Sequence, residues 1–269
     1  MLLPGRILFA IAIVGFGILC VVYVDFVSQL QPVGELLPAS TPGRGVLAIL
    51  TGIILSVAGL AIVTDVKTYP AAIALTVLFA LWIVLLQVPS AFADPSLLRS
   101  PWWIRTFETL ALSGAALILA GLASNPVRES WVRTGRIAFG VSLPVFGILH
   151  FIYPESVAAL VALAPIPYPW PLFWAYLTGA GHCAAGVAIA TGLLSRWAAI
   201  AAGIMYGTWA LTLHLPRIVD NPATYGGDRG ELTSLFVCVA FCGAAWIVAG
   251  SLATQDSGAR AVGQGDCPV

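Results

Sequence analysis

Hydrophobic residues in this chain come in long runs broken by proline, glycine and charge. Eight runs stand out: Ile7–Val24, Val46–Val63, Ala71–Val88, Trp103–Leu122, Ile137–Ile152, Leu172–Leu194, Trp197–Leu215 and Leu232–Leu252. Each is near the roughly 20 apolar residues that a helix needs to cross a bilayer. In hydrocarbon every backbone polar group must be satisfied within its element, so runs of this length predict helices. Transmembrane strands would be about 10 residues long with strict alternation, and the runs do not alternate. The expected fold class is all-α, a polytopic membrane protein with eight transmembrane helices. The first run is read as a retained helix and not a removed leader. Only Arg6 precedes it, no A-x-A site follows it, and it recurs inside the chain.

That recurrence organises the whole sequence. From Gly5 to Tyr23 and from Gly135 to Tyr153, 9 of 19 positions are identical without a gap, including Gly-Arg-Ile at the start and Phe-Gly-Ile-Leu near the end. Further on, Thr51-Gly52 matches Thr178-Gly179, Ala58-Gly59 matches Ala185-Gly186, Trp82 matches Trp209 and Pro89 matches Pro216. Gly114-Ala115-Ala116 matches Gly243-Ala244-Ala245. The chain therefore divides into a four-helix repeat over 1–125, a second over 130–253, and a polar tail over 254–269. An even number of spans per repeat sets both in the same orientation, a tandem parallel repeat of four-helix bundles with its pseudo-two-fold axis along the membrane normal.

Composition agrees with a bilayer setting. Of 269 residues, 59% are hydrophobic and 9% charged, and the mean hydropathy is +0.96. Soluble domains carry roughly 25% charged residues, so that class is excluded, together with disordered, collagenous and coiled-coil chains. The formal net charge is +0, which gives no reason to expect a nucleic-acid partner. The expected surroundings are lipid.

Lys and Arg set the orientation. With the N-terminus in the cytoplasm, Arg6, Lys67, Arg128, Arg133, Arg136, Arg196 and Arg260 fall on that side, and Arg44, Arg99, Arg105, Arg217 and Arg229 on the other. Eight acids, Glu108 and Glu231 among them, also fall on the other side. Both termini are expected to be cytoplasmic, with the 64–70 and 124–136 loops.

Candidate chemistry gathers at the opposite ends of the helices. His150 closes the fifth run, followed by Tyr153 and Glu155; His214 closes the seventh, followed by Pro216 and Arg217; Asp228, Arg229 and Glu231 precede the eighth. Ionisable groups at membrane depth are costly unless paired, and they often mark a function. His150, His214, Arg217 and Glu231 are the expected binding residues, with Tyr153, Asp228 and His182 secondary. Such a group could hold an anion, pass a proton or grip a quinone head group; it could equally be a structural staple of helix ends. Pro216 is expected to end its helix and turn Arg217 toward the interface, within pairing reach of Glu231 or Asp228. All three histidines lie in the second repeat, where His150 and His214 align with Cys20 and Gln87. The second repeat is thus expected to build any cavity, and the first to act as scaffold.

Other features carry less chemistry. His182 lies about 10 residues into its run, roughly 15 Å from the helix end, whereas His150 is a turn from its own. That depth difference argues against one metal site shared by the histidines. The five cysteines include no C-x-x-C, and buried cysteine is usually a packing residue. Gly52, Ser56, Gly59 and their partners Gly179, Cys183, Gly186 form small-residue faces for close helix packing. Pro165, Pro167, Pro169 and Pro171 alternate, which excludes regular helix and favours an extended segment, a candidate lid.

Gly135-Arg136-Ile137, Phe146-Gly147-Ile148-Leu149-His150, Phe173 through Gly179, His214-Leu215-Pro216-Arg217 and Glu231 through Phe236 together resemble the DoxX-like family of bacterial membrane proteins. The resemblance is good across the second repeat and looser across the first. It implies a four-helix membrane unit, here fused in two copies, in the bacterial inner membrane. The family takes its name from subunits of a thiosulfate:quinone oxidoreductase, and relatives are associated with membrane redox systems. It transfers no catalytic residue. The expected function is a redox-associated membrane subunit near the quinone pool, working with a membrane redox partner or as a homo-oligomer. The alternatives are a small-molecule or lipid transporter and a purely structural subunit.

Overall fold

The computed structural model describes residues 1–27, 30–31, 37–93, 102–165, 167–220 and 229–263. These form α1 (Leu2–Val22), α2 (Arg44–Val63), α3 (Thr68–Trp82), α4 (Val88–Ala93), α5 (Trp102–Ala123), α6 (Glu129–Ile152), α7 (Pro154–Ala162), α8 (Pro171–Thr191), α9 (Ser195–Trp209), α10 (Leu215–Asp220) and α11 (Arg229–Gly263). Two π-helical turns, Ile83–Gln87 and Ala210–His214, join α3 to α4 and α9 to α10. The described residues thus include eight helices long and apolar enough to cross a membrane, and the protein is an all-α, multi-pass membrane protein.

Helix order around the bundle follows the chain. α1 packs along α2 and also along α11; α5 packs along α3 and α6; α6 packs along α8, and α9 along α11. Close backbone approaches fall on matched glycines. A Cβ on Gly5 would lie 2.8 Å from the carbonyl oxygen of Gly243, and a Cβ on Gly135 would lie 2.4 Å from that of Gly114. Gly17 meets the Gly52 carbonyl at 2.5 Å in the same sense, and Gly147 meets that of Gly179, also at 2.5 Å. Real side chains do not tolerate such distances, so these sites need glycine. Lipid gives helices no hydrophobic reason to associate, and close backbone packing supplies the attraction. Phe9, Phe16, Phe79, Phe139 and Phe241 fill the interior with little or no exposed surface, while Val46, Ile53, Val57 and Leu60 of α2 face outward toward lipid.

Three elements differ from the sequence expectation. First, a short helix, α7, stands between the fifth and sixth spans. Its Pro154 sits at the first turn with Glu155 beside it, a favourable helix start, but nine residues are too few to register as a span. Second, Pro216 does not end its helix. An α-helix would ask residue 216 for an N–H to the carbonyl of Thr212, which proline lacks. The chain widens into the π turn before it and then continues helical to Asp220; Pro89 follows the first π turn in the same way. Third, α11 runs on through Gly263 into the polar tail. Among 163–170, the described residues are non-helical, as the alternating prolines require.

Candidate functional site

Call the end of the bundle opposite Met1 the far end. There, α5, α8 and α11 begin and α6 and α10 finish, around a cavity of ≈ 480 Å³. Small-molecule sites are typically about 300–1,000 Å³ and mostly apolar, with a few converging polar groups. The wall here is of that kind, with Phe146, Tyr206, Trp209 and Phe241 as its aromatic part and Glu108, His150, His182 and His214 as its ionisable part.

The histidines are brought together by helix stagger. α8 starts well beyond the last turn of α6, and α7 packs on the projecting part. Gly179 leaves room for His150, whose Cβ lies 2.8 Å from where a Gly179 Cβ would be. His150 therefore meets the middle of α8, and its ring centroid is 5.1 Å from that of His182. The depth argument that separated these residues assumed level helix ends, and the ends are not level. His150 also stacks on Trp209 at 6.3 Å and 15°, and Phe146 and Tyr206 flank His182 edge-on at 5.9 and 5.5 Å. His182 is 1% exposed.

Each imidazole has one nitrogen engaged. His150 Nδ1 donates to the Phe146 carbonyl at 2.7 Å, and His182 Nδ1 donates to the Thr178 carbonyl at 2.8 Å. His214 Nδ1 donates to Glu231 Oε1 at 2.7 Å. Glu231 Oε2 also accepts from Arg217 Nη1 at 3.2 Å. The expected pairing of Arg217 with Glu231 is therefore present, but neither residue lines the cavity. Arg217 is buried, not turned to the interface: Nη2 donates to the Leu160 carbonyl at 3.0 Å and Nε to the Leu163 carbonyl at 3.3 Å. A cation at the carbonyl end of a helix is favourable. Arg217 thus pins the end of α7, whose Val157 and Leu160 form part of the cavity wall.

Of the remaining expected site residues, Tyr153 lines the cavity, and Asp228 lies outside the described residues. Tyr168, from the proline-rich segment, also lines it and hydrogen-bonds Thr212 at 2.5 Å. Among the described residues, no group of three or more His, Cys, Asp or Glu side chains is placed to hold a metal ion.

One site residue was missed. Glu108, on α5, contributes a carboxyl to the cavity and makes no hydrogen bond or ion pair with another described residue. Its signal was in the chain: a single acid inside an apolar run. The cavity is consequently not built by the second half alone, since Glu108 and Ile104 come from the first. In the first half, the positions that align with His150 and His214 close on the chain itself. Gln87 Nε2 donates to the Leu30 carbonyl at 2.7 Å and to Thr109 Oγ1 at 2.6 Å, and Cys20 Sγ lies 3.9 Å from Gln31 Oε1. Leu30 and Gln31 are each 1% exposed, so both are buried where they meet these two positions.

Comparison with curated proteins and with solved structures gives no match. The family model described as DoxX matches residues 132–215, the stretch that carries all three histidines. Residues 132–215 thus match a DoxX domain, set within a chain whose eight apolar helices make it a multi-pass membrane protein.

Proposed function

We propose that this protein binds the ring of a quinone-type molecule in the far-end cavity, as a redox-associated subunit in the bacterial inner membrane. The observation that carries the reading is the cavity itself: ≈ 480 Å³, aromatic-walled, with His150, His182, His214 and Glu108 converging on it. An aromatic wall stacks on a planar ring, and polar groups set into such a wall fix its oxygens. His150, His182, His214 and Glu108 are the contact residues in this reading. Glu231 and Arg217 are positioning residues: Glu231 orients His214, and Arg217 holds α7. The cavity's lining runs from the far end to about mid-span, at His182, Tyr206 and Phe241, and stops there, which suits a head-group site better than a path across the bilayer.

The architecture behind the site is two parallel four-helix repeats, 1–125 and 130–253, with a tail over 254–269. The matched glycine contacts support this division. Both termini are cytoplasmic in this proposal, so the cavity lies in the outer leaflet. Impermeant labelling of a cysteine placed at Arg128 tests the orientation: protection in intact cells is expected, and labelling there reverses it.

The function is tested by purifying the protein in mild detergent and titrating it with a short-chain benzoquinone. Trp209 and Trp174 line the cavity, so saturable quenching of tryptophan fluorescence is expected, weakened by Phe146→Ala, which removes part of the aromatic wall. Quenching that is unsaturable, or equal in the variant, removes the quinone reading.

A further inference from the structure

The polar atoms of the cavity have a direction. A neutral imidazole carries one N–H and one bare nitrogen, and the partner of the first fixes the second. The Nδ1 of His150 and of His182 each face a backbone carbonyl, which only accepts, so Nδ1 holds the proton in both. His214 Nδ1 faces Glu231, which already accepts from Arg217. In all three rings Nε2 is left as an acceptor. None of the three Nε2 atoms has a partner among the described residues, and none is sealed from the cavity. The Glu108 carboxyl adds further acceptor oxygens.

Donors on the same wall are mostly engaged. Thr178 Oγ1 donates to the Trp174 carbonyl at 2.7 Å, Trp174 Nε1 to the Pro169 carbonyl at 2.9 Å, and Ser234 Oγ to the Gly230 carbonyl at 3.0 Å. Tyr206, which also lines the cavity, has a buried Oη with no hydrogen-bond partner. The indole N–H of Trp209 and the hydroxyls of Ser156 and Tyr206 are donors without a described partner. A ligand bearing only carbonyl oxygens could accept from these donors but would leave the three bare nitrogens and the carboxyl without a hydrogen bond. A ligand bearing hydroxyls would satisfy them, and buried acceptors left unpaired are penalised.

We infer that the cavity selects an aromatic ligand that donates hydrogen bonds, taking the dihydroxy, reduced form of a quinone-type ring in preference to the dicarbonyl, oxidised form. The inference rests on the proposed function for the choice of ring. It assigns His150, His182 and His214 as the residues that set the preference.

Equilibrium dialysis of the full-length protein in detergent tests it with three probes of one ring size: dimethylhydroquinone under argon, its dimethyl ether, and dimethylbenzoquinone. The hydroquinone is expected to bind at least about tenfold tighter than either of the others. His150→Phe and His182→Phe should each weaken hydroquinone binding and leave benzoquinone binding within about twofold, because only the donor loses a partner. Benzoquinone binding as tightly as hydroquinone, or equal binding of the dimethyl ether, overturns the inference and leaves the quinone-site reading standing. Binding of none of the three probes sinks the quinone-site reading and this inference with it.

Discussion

Arg217 is where stability and site geometry meet, and the cost of losing it can be worked out. Its side chain is 4% exposed and that of Glu231 10%. Replacing Arg217 with Met keeps the apolar stem and removes three contacts: the pair with Glu231 and the hydrogen bonds to the carbonyls of Leu160 and Leu163. Exposed ion pairs contribute about 0–1 kcal/mol, but breaking a buried pair leaves a charge without a partner and costs about 3–5 kcal/mol. Burial here places Arg217→Met in the second class. Glu231→Gln removes the counter-charge of Arg217 in turn and should cost a similar amount. The double variant has neither charge, so it should be destabilised by much less than the two losses combined, with a coupling of about 2–3 kcal/mol. Reversible unfolding of the four proteins in one detergent measures the cycle. Hydrogen exchange on α7 supplies a second readout: Arg217→Met should speed exchange across Pro154–Ala162, because its terminal carbonyls lose their donor, while Glu231→Gln should not. Costs that add within about 0.5 kcal/mol would show that the two residues are independent. Unchanged exchange on α7 would show that Arg217 does not hold it.

Three further outcomes follow from the packing and the loops. His150→Ala should accumulate as folded protein at the normal level, since its ring lines a cavity and its one hydrogen bond is to its own helix; loss of the folded protein would make His150 a structural staple. Gly243→Val should destabilise the bundle by at least about 1–3 kcal/mol, because a Cβ there would lie 2.3 Å from the backbone nitrogen of Phe9, and a wild-type melting temperature would refute the contact. Burial pushes the Asp25 carboxyl up, but hydrogen bonds from Arg44 and Arg229 outweigh it and hold it below the usual carboxylate range. Its contribution is therefore complete above about pH 4 and is lost as pH falls through the lower folded value. Melting curves of Asp25→Asn should accordingly fall less with acidification below pH 4 than those of the unaltered protein; parallel curves would exclude the linkage.

Much of the fold can be read along the chain because the bilayer makes the relevant rule local. A span must satisfy its own backbone and present apolar side chains for about 20 residues, so each helix announces itself by composition. The segments that escaped this reading obey other rules. α7 is shorter than a span, and the π turns arise where proline withholds a hydrogen bond inside one. Close packing was partly legible as well. Gly52, Gly59, Gly179 and Gly186 stood out by spacing, and each lies against a neighbouring helix, Gly186 against the ring of Pro144 and the carbonyl of Gly140.

The sequence by itself determined the eight helices, their apolar faces and the glycines on which they could meet. Those properties depend on runs of neighbouring residues and on the solvent around them. Only the tertiary structure decided which polar groups share a space. The register of α6 against α8 sets His150 beside His182, α5 brings Glu108 in from the first half, and Leu30 with Gln31 packs on Gln87 and Cys20 there. None of these follows from distance along a helix, because depth in the bundle depends on where one helix rests on another. That resting point is set by contacts between residues far apart in the chain, as Gly147 meets the carbonyl of Gly179.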